Sequence, residues 1–159
     1  MRRPRRWTAG VALMAWAAAG TPVADAPLAA PVATCLITQV PQLAFGAYDV
    51  TSSAPDDTQS QLKYICDSSI STLRINLGPG LSGSFTTRQM ASGGNRLSYN
   101  VYTDSARTKI FGDGSAATSY YSKFLPLIDS ATFYGRIPAQ QGGIRVGSYS
   151  DTLKITLLF

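Results

Sequence analysis

The chain contains no histidine and no glutamate in 159 residues. The first absence removes the side chain that most often serves as general base near neutral pH and most often binds transition metals. The second leaves aspartate alone to supply any paired-carboxylate chemistry. Cysteine is almost missing as well, with only Cys35 and Cys66, so metal sites built on histidine or free cysteine are excluded. Long hydrophobic runs are also lacking. The longest, Trp7 to Gly20, falls short of the roughly 20 residues a spanning helix needs, which argues against a transmembrane segment.

That short apolar run follows a basic cluster, Arg2, Arg3, Arg5 and Arg6, and precedes small residues, the layout of a secretory signal peptide over residues 1–26. Cleavage falls between 20 and 26. Ala24-Asp-Ala26 has the small-x-small form but leaves Pro27 at the new N-terminus, and Ala18-Ala-Gly20 competes with it. An uncleaved amphipathic anchor is the plainer alternative. Either cut removes four of the fourteen Lys and Arg residues, leaving ten against nine acids, or eight if Asp25 is lost. The formal charge of +5 therefore resides mostly in the leader, and nothing in the near-neutral remainder supports a nucleic-acid partner.

In an exported chain an even cysteine pair reads as a disulfide, and two cysteines allow one pairing. Closing a loop of about 32 residues removes denatured-state entropy worth roughly 3.7 kcal/mol in the chain-entropy description. A lipoprotein reading of Val32-Ala-Thr-Cys35 fails because Thr34 is a poor residue before a lipidated cysteine, and lipidation would orphan Cys66.

Downstream the pattern has period 2. Leu62, Tyr64 and Cys66 alternate with Gln61, Lys63 and Ile65, while Leu73, Ile75 and Leu77, and Leu97, Tyr99 and Val101, alternate with polar neighbours. Gly78-Pro-Gly80, Ser92-Gly-Gly-Asn95, Gly112-Asp-Gly114 and Gln141-Gly-Gly143 separate these runs with turn residues. No stretch carries a helical period, and short strands at this spacing predict an all-β sandwich or barrel.

The remaining candidates for chemistry are weak. Asp56-Asp57, after a Ser/Pro-rich stretch, reads as a solvated turn rather than a calcium site, and Asp113 between two glycines reads as a turn residue. Gly80-Leu-Ser-Gly-Ser84 misses the nucleophile-elbow spacing and has no histidine to activate a serine, which counts against a secreted hydrolase. The eight tyrosines, including Tyr120-Tyr121 and Tyr134, fit a sugar-binding surface, yet β-propensity explains them without a ligand. Arg88, Arg96, Arg107 and Arg136 stand singly and read as solvated or hydrogen-bonded rather than anion-binding.

The end of the chain is more informative. Over residues 147–159 one parity carries Tyr149, Leu153, Ile155, Leu157 and Phe159, and the other carries Ser150, Thr152, Lys154 and Thr156. This is a strand with one buried face and no following strand to cover its edge.

Seven pieces occur in a fixed order: Cys35, Phe45-Gly-Ala-Tyr48, Cys66, Arg88-Gln-Met90, Leu97-Ser-Tyr-Asn-Val-Tyr-Thr-Asp104 with Arg107, Tyr134-Gly-Arg-Ile-Pro138, and Gly147-Ser-Tyr-Ser-Asp151. Together they resemble the spore coat protein U domain, a family that includes subunits of archaic chaperone-usher pili of Gram-negative bacteria along with spore coat proteins. The resemblance covers the whole mature chain, with the domain itself at residues 35–159. It implies an incomplete immunoglobulin-like β-sandwich that lacks its last strand and is completed by a donor strand. It also implies three partners: a periplasmic chaperone that fills the groove first, an outer-membrane usher, and neighbouring pilus subunits. By the same resemblance, Leu153, Ile155, Leu157 and Phe159 line the strand-acceptor groove, the Phe159 carboxylate anchors the chaperone, and Cys35 and Cys66 join the start of the first strand to the second.

Residues 27–34 form a short N-terminal extension whose best donor phase is Leu28, Ala30 and Val32, with little apolar bulk. Pro22, Pro27 and Pro31 interrupt it, and proline cannot donate to a ladder. The expectation is thus a non-enzymatic structural subunit without cofactors, exported through the periplasm to the cell surface as part of a pilus or coat. It would be a minor or tip-associated subunit rather than the main shaft. The alternative is a single-domain adhesin or lectin-like module using its loop tyrosines.

Overall fold

The computed structural model describes residues 32–159. The leader and the donor candidates Leu28 and Ala30 lie outside the described residues; Val32 is the first residue within them. Nine strands are formed and no helix is present among the described residues: β1 (Cys35–Gln39), β2 (Asp56–Cys66), β3 (Thr72–Leu77), β4 (Gln89–Ser92), β5 (Asn95–Ser98), β6 (Asn100–Tyr102), β7 (Tyr121–Phe124), β8 (Ile128–Ile137) and β9 (Ile155–Leu158). They build a four-stranded sheet in the order β1-β2-β8-β6, a three-stranded sheet in the order β7-β3-β9, and the β4-β5 hairpin. Every ladder is antiparallel.

The alternation read from the sequence becomes the core. Leu62 and Tyr64 from β2, Leu73, Ile75 and Leu77 from β3, and Ala131, Phe133 and Ile137 from β8 all point inward and are buried. The longest pairing, β2 with β8, runs from Asp56 opposite Ile137 to Ile65 opposite Ile128. Phe111 packs on Phe133 with ring centroids 4.8 Å apart, closing the core where the loop after β6 crosses it. Cys35 and Cys66 face each other as cross-strand partners and form the disulfide, which ties edge strand β1 to the end of β2.

Three local expectations need correction. Asp56 and Asp57 open β2 instead of forming a solvated turn, because Asp57 lies opposite Arg136 and meets its guanidinium at 2.7 Å, with Arg107 at 3.2 Å. The run from Leu97 to Val101 is not one strand. It breaks at Tyr99, whose N–H goes to the Arg88 carbonyl, so β5 pairs with β4 while β6 joins β8 in another sheet. The terminal strand is also shorter than its alternation, since only Ile155–Leu158 has a ladder. Its partner β3 stops at Leu77, and although Gly78 still donates to the Lys154 carbonyl at 2.8 Å, Pro79 has no N–H with which to continue.

Candidate functional site

Among the described residues β9 pairs only with β3 and β1 only with β2, so each has an edge without a ladder partner; β6 and β7 are the other terminal strands of the two sheets. A groove with two adjoining cavities of about 320 and 680 Å³ runs between residues 40–50, which follow β1, and residues 144–155, which lead into β9. The two share Leu43, Phe45, Met90 and Tyr149, so they are parts of one channel.

One wall follows β1. Over residues 41–46, half-buried Pro41, Leu43 and Phe45 alternate with exposed Gln42, Ala44 and Gly46, a strand-like pattern with no ladder. Side chains of β2 hold this segment: Ser60 Oγ accepts from the Gln42 N–H at 3.0 Å, and Thr58 Oγ1 donates to the Ala44 carbonyl at 2.9 Å. Phe45 also rests directly on Gly135 of β8, where an added Cβ would come within 2.7 Å of its ring. That contact explains why small Gly135 interrupts an otherwise bulky strand. Tyr48 donates to the Pro138 carbonyl at 2.8 Å and accepts from the Gln141 N–H at 3.0 Å, fastening the far end of the wall.

The opposite wall is the approach to β9. Ser150 exchanges backbone hydrogen bonds with Ala91 of β4 at 2.9 and 3.1 Å. Asp151 then accepts from the Tyr99 hydroxyl at 2.7 Å and from the Leu81 N–H at 2.9 Å. Burial raises the phenol pKa of Tyr99 and the bond to Asp151 raises it further, so Tyr99 remains a neutral donor. Gly80 sits against this carboxylate with φ +75°, and a Cβ there would collide with Asp151 Oδ2. Below the groove, Arg88 is completely buried. It donates to Asn100 Oδ1 and to the carbonyls of Gly78 and Phe111, each at 2.7 Å. Burial lowers its pKa to about 10, which still leaves it charged at neutral pH. The residue thus clamps the end of β3, the start of β6 and the Phe111 loop to one another.

Of the residues singled out in the terminal strand, Leu153 and Ile155 line the groove. Leu157 is half-buried against the core, opposite Ile75. Phe159 ends the chain beyond the lining, 56% exposed, and Val32 is 85% exposed ahead of β1. Sequence reasoning missed the Leu43 and Phe45 wall and the Met90 floor. The alternation of Leu43 and Phe45 was a usable signal, but Pro41 and Gly46 at its ends suppress a strand assignment.

Chemically the site offers apolar side-chain seats bordered by backbone without a ladder partner among the described residues. That arrangement suits an extended polypeptide, whose main chain can pair while alternate side chains fill the channel. The class of molecule is therefore an all-β, immunoglobulin-like sandwich. More particularly, the model of the Spore Coat Protein U domain matches residues 21–156, and the chain belongs to that family. Among solved structures it is similar to a chain of the CsuC-CsuE chaperone-tip adhesion subunit pre-assembly complex from archaic chaperone-usher Csu pili of Acinetobacter baumannii, at 21% identity and a TM-score of 0.54. That likeness covers 80% of this chain but 40% of the other, so this chain spans less than half the length of that relative. It is also similar to the P pilus rod subunit PapA, at 17% identity and a TM-score of 0.51, covering 78% of this chain and 97% of that one. No curated protein sequence matches the chain.

Proposed function

We propose that this protein is a structural subunit of a surface pilus or spore coat that is completed by a strand from another protein and catalyses nothing. The observation that carries this reading is the groove between residues 40–50 and the approach to β9, lined by apolar side chains and bordered by backbone without a ladder partner among the described residues. An exposed apolar edge of this kind invites pairing, and a cell that exports it must keep it covered. A periplasmic chaperone would cover it first, an outer-membrane usher would receive the subunit, and a neighbouring pilus subunit would supply the final strand. The Csu and P pilus likenesses favour this route over other forms of strand addition. Export through the periplasm of a Gram-negative cell follows from the same route, with residues 1–26 as signal peptide and 27–34 as extension.

Within such an assembly the role is that of a minor or tip-associated subunit. Leu28, Ala30 and Val32 give a donor strand little bulk, whereas Leu153, Ile155 and Leu157 on the acceptor side are full-sized. The Phe159 carboxylate is assigned as the chaperone anchor.

The test uses the mature chain with and without a synthetic peptide of alternating large apolar residues. Strand acceptance predicts that the unaided protein is unstable or associates with itself, and that the peptide restores a cooperative unfolding transition. Leu153→Asp should abolish that rescue. A stable monomer indifferent to the peptide would remove the strand-acceptor reading, and saturable glycan binding by that monomer would establish the adhesin alternative.

A further inference from the structure

The outer face of the large sheet changes character along its length. Outward positions on β2 read Asp57, Gln59, Gln61 and Lys63, and then Ile65. On β8 they read Arg136, Tyr134, Thr132 and Ser130, and then Ile128. Only at the last step are they apolar, and there β1 adds Leu36, so that Leu36, Ile65 and Ile128 form one cross-strand row. All three are exposed, Ile128 to 78%, and Leu127 and Val32 beside them are exposed too. Single surface aliphatics are ordinary, but a contiguous set on an otherwise polar face marks a contact site.

This end is where the N-terminal segment leaves the domain. Thr34 is bound on both sides to Asp67, its N–H to the carboxylate at 2.5 Å and its carbonyl to the Asp67 N–H at 3.0 Å, and the Cys66 N–H goes to the Leu127 carbonyl at 2.7 Å. At the other end of the groove stand Val50 and Val146, also exposed. β2 separates the two ends by its 11 residues, roughly 35 Å at about 3.4 Å per residue.

Strand direction relates these two apolar ends. β9 runs toward the Cys35 end, since Leu158 lies opposite Arg74 near the start of β3. A strand added antiparallel to β9, as all other ladders here are antiparallel, therefore runs from the Phe159 end toward Val146. The body of the subunit that donates it must emerge beyond Val50 and Val146, with the root of its own N-terminal segment facing them.

We propose that Val32, Leu36, Ile65, Leu127 and Ile128 form an apolar collar by which this subunit rests on the neighbouring subunit of the same fold that takes its N-terminal segment, meeting that neighbour's groove mouth at the positions of Val50 and Val146. The inference rests on the strand-acceptor reading. It adds a heterologous head-to-tail surface contact between successive subunits. A weak donor strand gains most from such a collar, because the contact contributes burial that Leu28 and Ala30 do not.

The experiment places a benzophenone amino acid at Ile128, at Leu36, and at Gln61 on the polar part of the same face, in the full-length chain expressed in its own host, and maps photo-cross-links by mass spectrometry. The collar predicts cross-links from 128 and 36 to residues 47–50 or 145–147 of another copy, or to the corresponding groove mouth of a sister subunit, at least tenfold above those from 61. Surface multimers that form without such cross-links, or with cross-links falling elsewhere, overturn the collar and leave strand acceptance intact. A surface protein found only as a monomer overturns both.

Discussion

Arg88 is the one charged side chain that is fully buried among the described residues. Its guanidinium has no carboxylate within bonding distance, and its charge is met instead by Asn100 Oδ1 and the carbonyls of Gly78 and Phe111. Replacing it with alanine strips buried acceptors of their donors, and each orphaned group costs about 1–3 kcal/mol. Arg88→Ala should therefore destabilise the strand-complemented protein by roughly 3 kcal/mol or more, read as a fall in the urea midpoint. Arg88→Lys should recover little, because an ammonium cannot reproduce the planar fork. The sequence showed an arginine beside Met90 but not its burial, which is decided by Asn100 and Phe111, 12 and 23 residues away. Asp57 is the opposite case, a surface group with a readable titration. The Arg136 hydrogen bond, aided by the charge of Arg107, holds its carboxyl below the ordinary carboxylate range. A depressed acid contributes stability above its unfolded pKa, about 3.9, and loses it as pH falls through the folded value. Asp57→Asn should thus cost about 1 kcal/mol or less at pH 7, and in paired urea titrations the difference should shrink as pH falls below the unfolded value and through the lower folded one.

Among the elements, β3 and the second half of β2 were legible because each alternates and buries one face, whereas β8 was not read as a strand, since its inward Ala131 and Gly135 blur the alternation of Phe133 and Ile137. The terminal strand was legible in parity but not in length. Side-chain alternation continues through Leu153, while the ladder depends on where β3 meets Pro79. The wall at residues 41–46 was illegible for a related reason: it is a strand in pattern that is held by the Ser60 and Thr58 hydroxyls instead of by a neighbouring backbone. Edge strand β1 has a similar weakness. It spans 5 residues, its register shifts between Ile37 and Gln39, and all but Cys35 are exposed. The Cys35–Cys66 bond therefore provides its main fastening at one end of the groove. Changing both cysteines to serine should cost about 2–5 kcal/mol in thermal or urea unfolding. It should also weaken binding of a strand peptide, because the β1 edge then frays, and calorimetric titration of that peptide would reveal the loss.

For the whole molecule, the strand-acceptor proposal can be tested with a strand appended after Phe159, which can run in one direction only. Phe159 follows Leu158, which lies opposite Arg74 at the Cys35 end of β9. A two-residue Asn-Gly turn placed after Phe159 would reverse the chain and send a new strand back along the free edge of β9, antiparallel to it. With four large aliphatic residues on the parity that faces Leu43, Met90 and Ile155, such a strand buries side chains worth about 1.5–3 kcal/mol each, before the cost of ordering the appended segment. That cost is about 1–2 kcal/mol for each residue fixed, so the extension stabilises the domain only where side-chain burial and main-chain pairing together exceed it. In a domain of this size, a surplus of a few kcal/mol raises the unfolding midpoint by roughly 10 °C. The extended protein should be a concentration-independent monomer in sedimentation, with its midpoint raised over the unextended chain. The same extension with the inward parity changed to aspartate should give no gain, and a gain equal to that of the aliphatic version would mean that the groove does not read side chains.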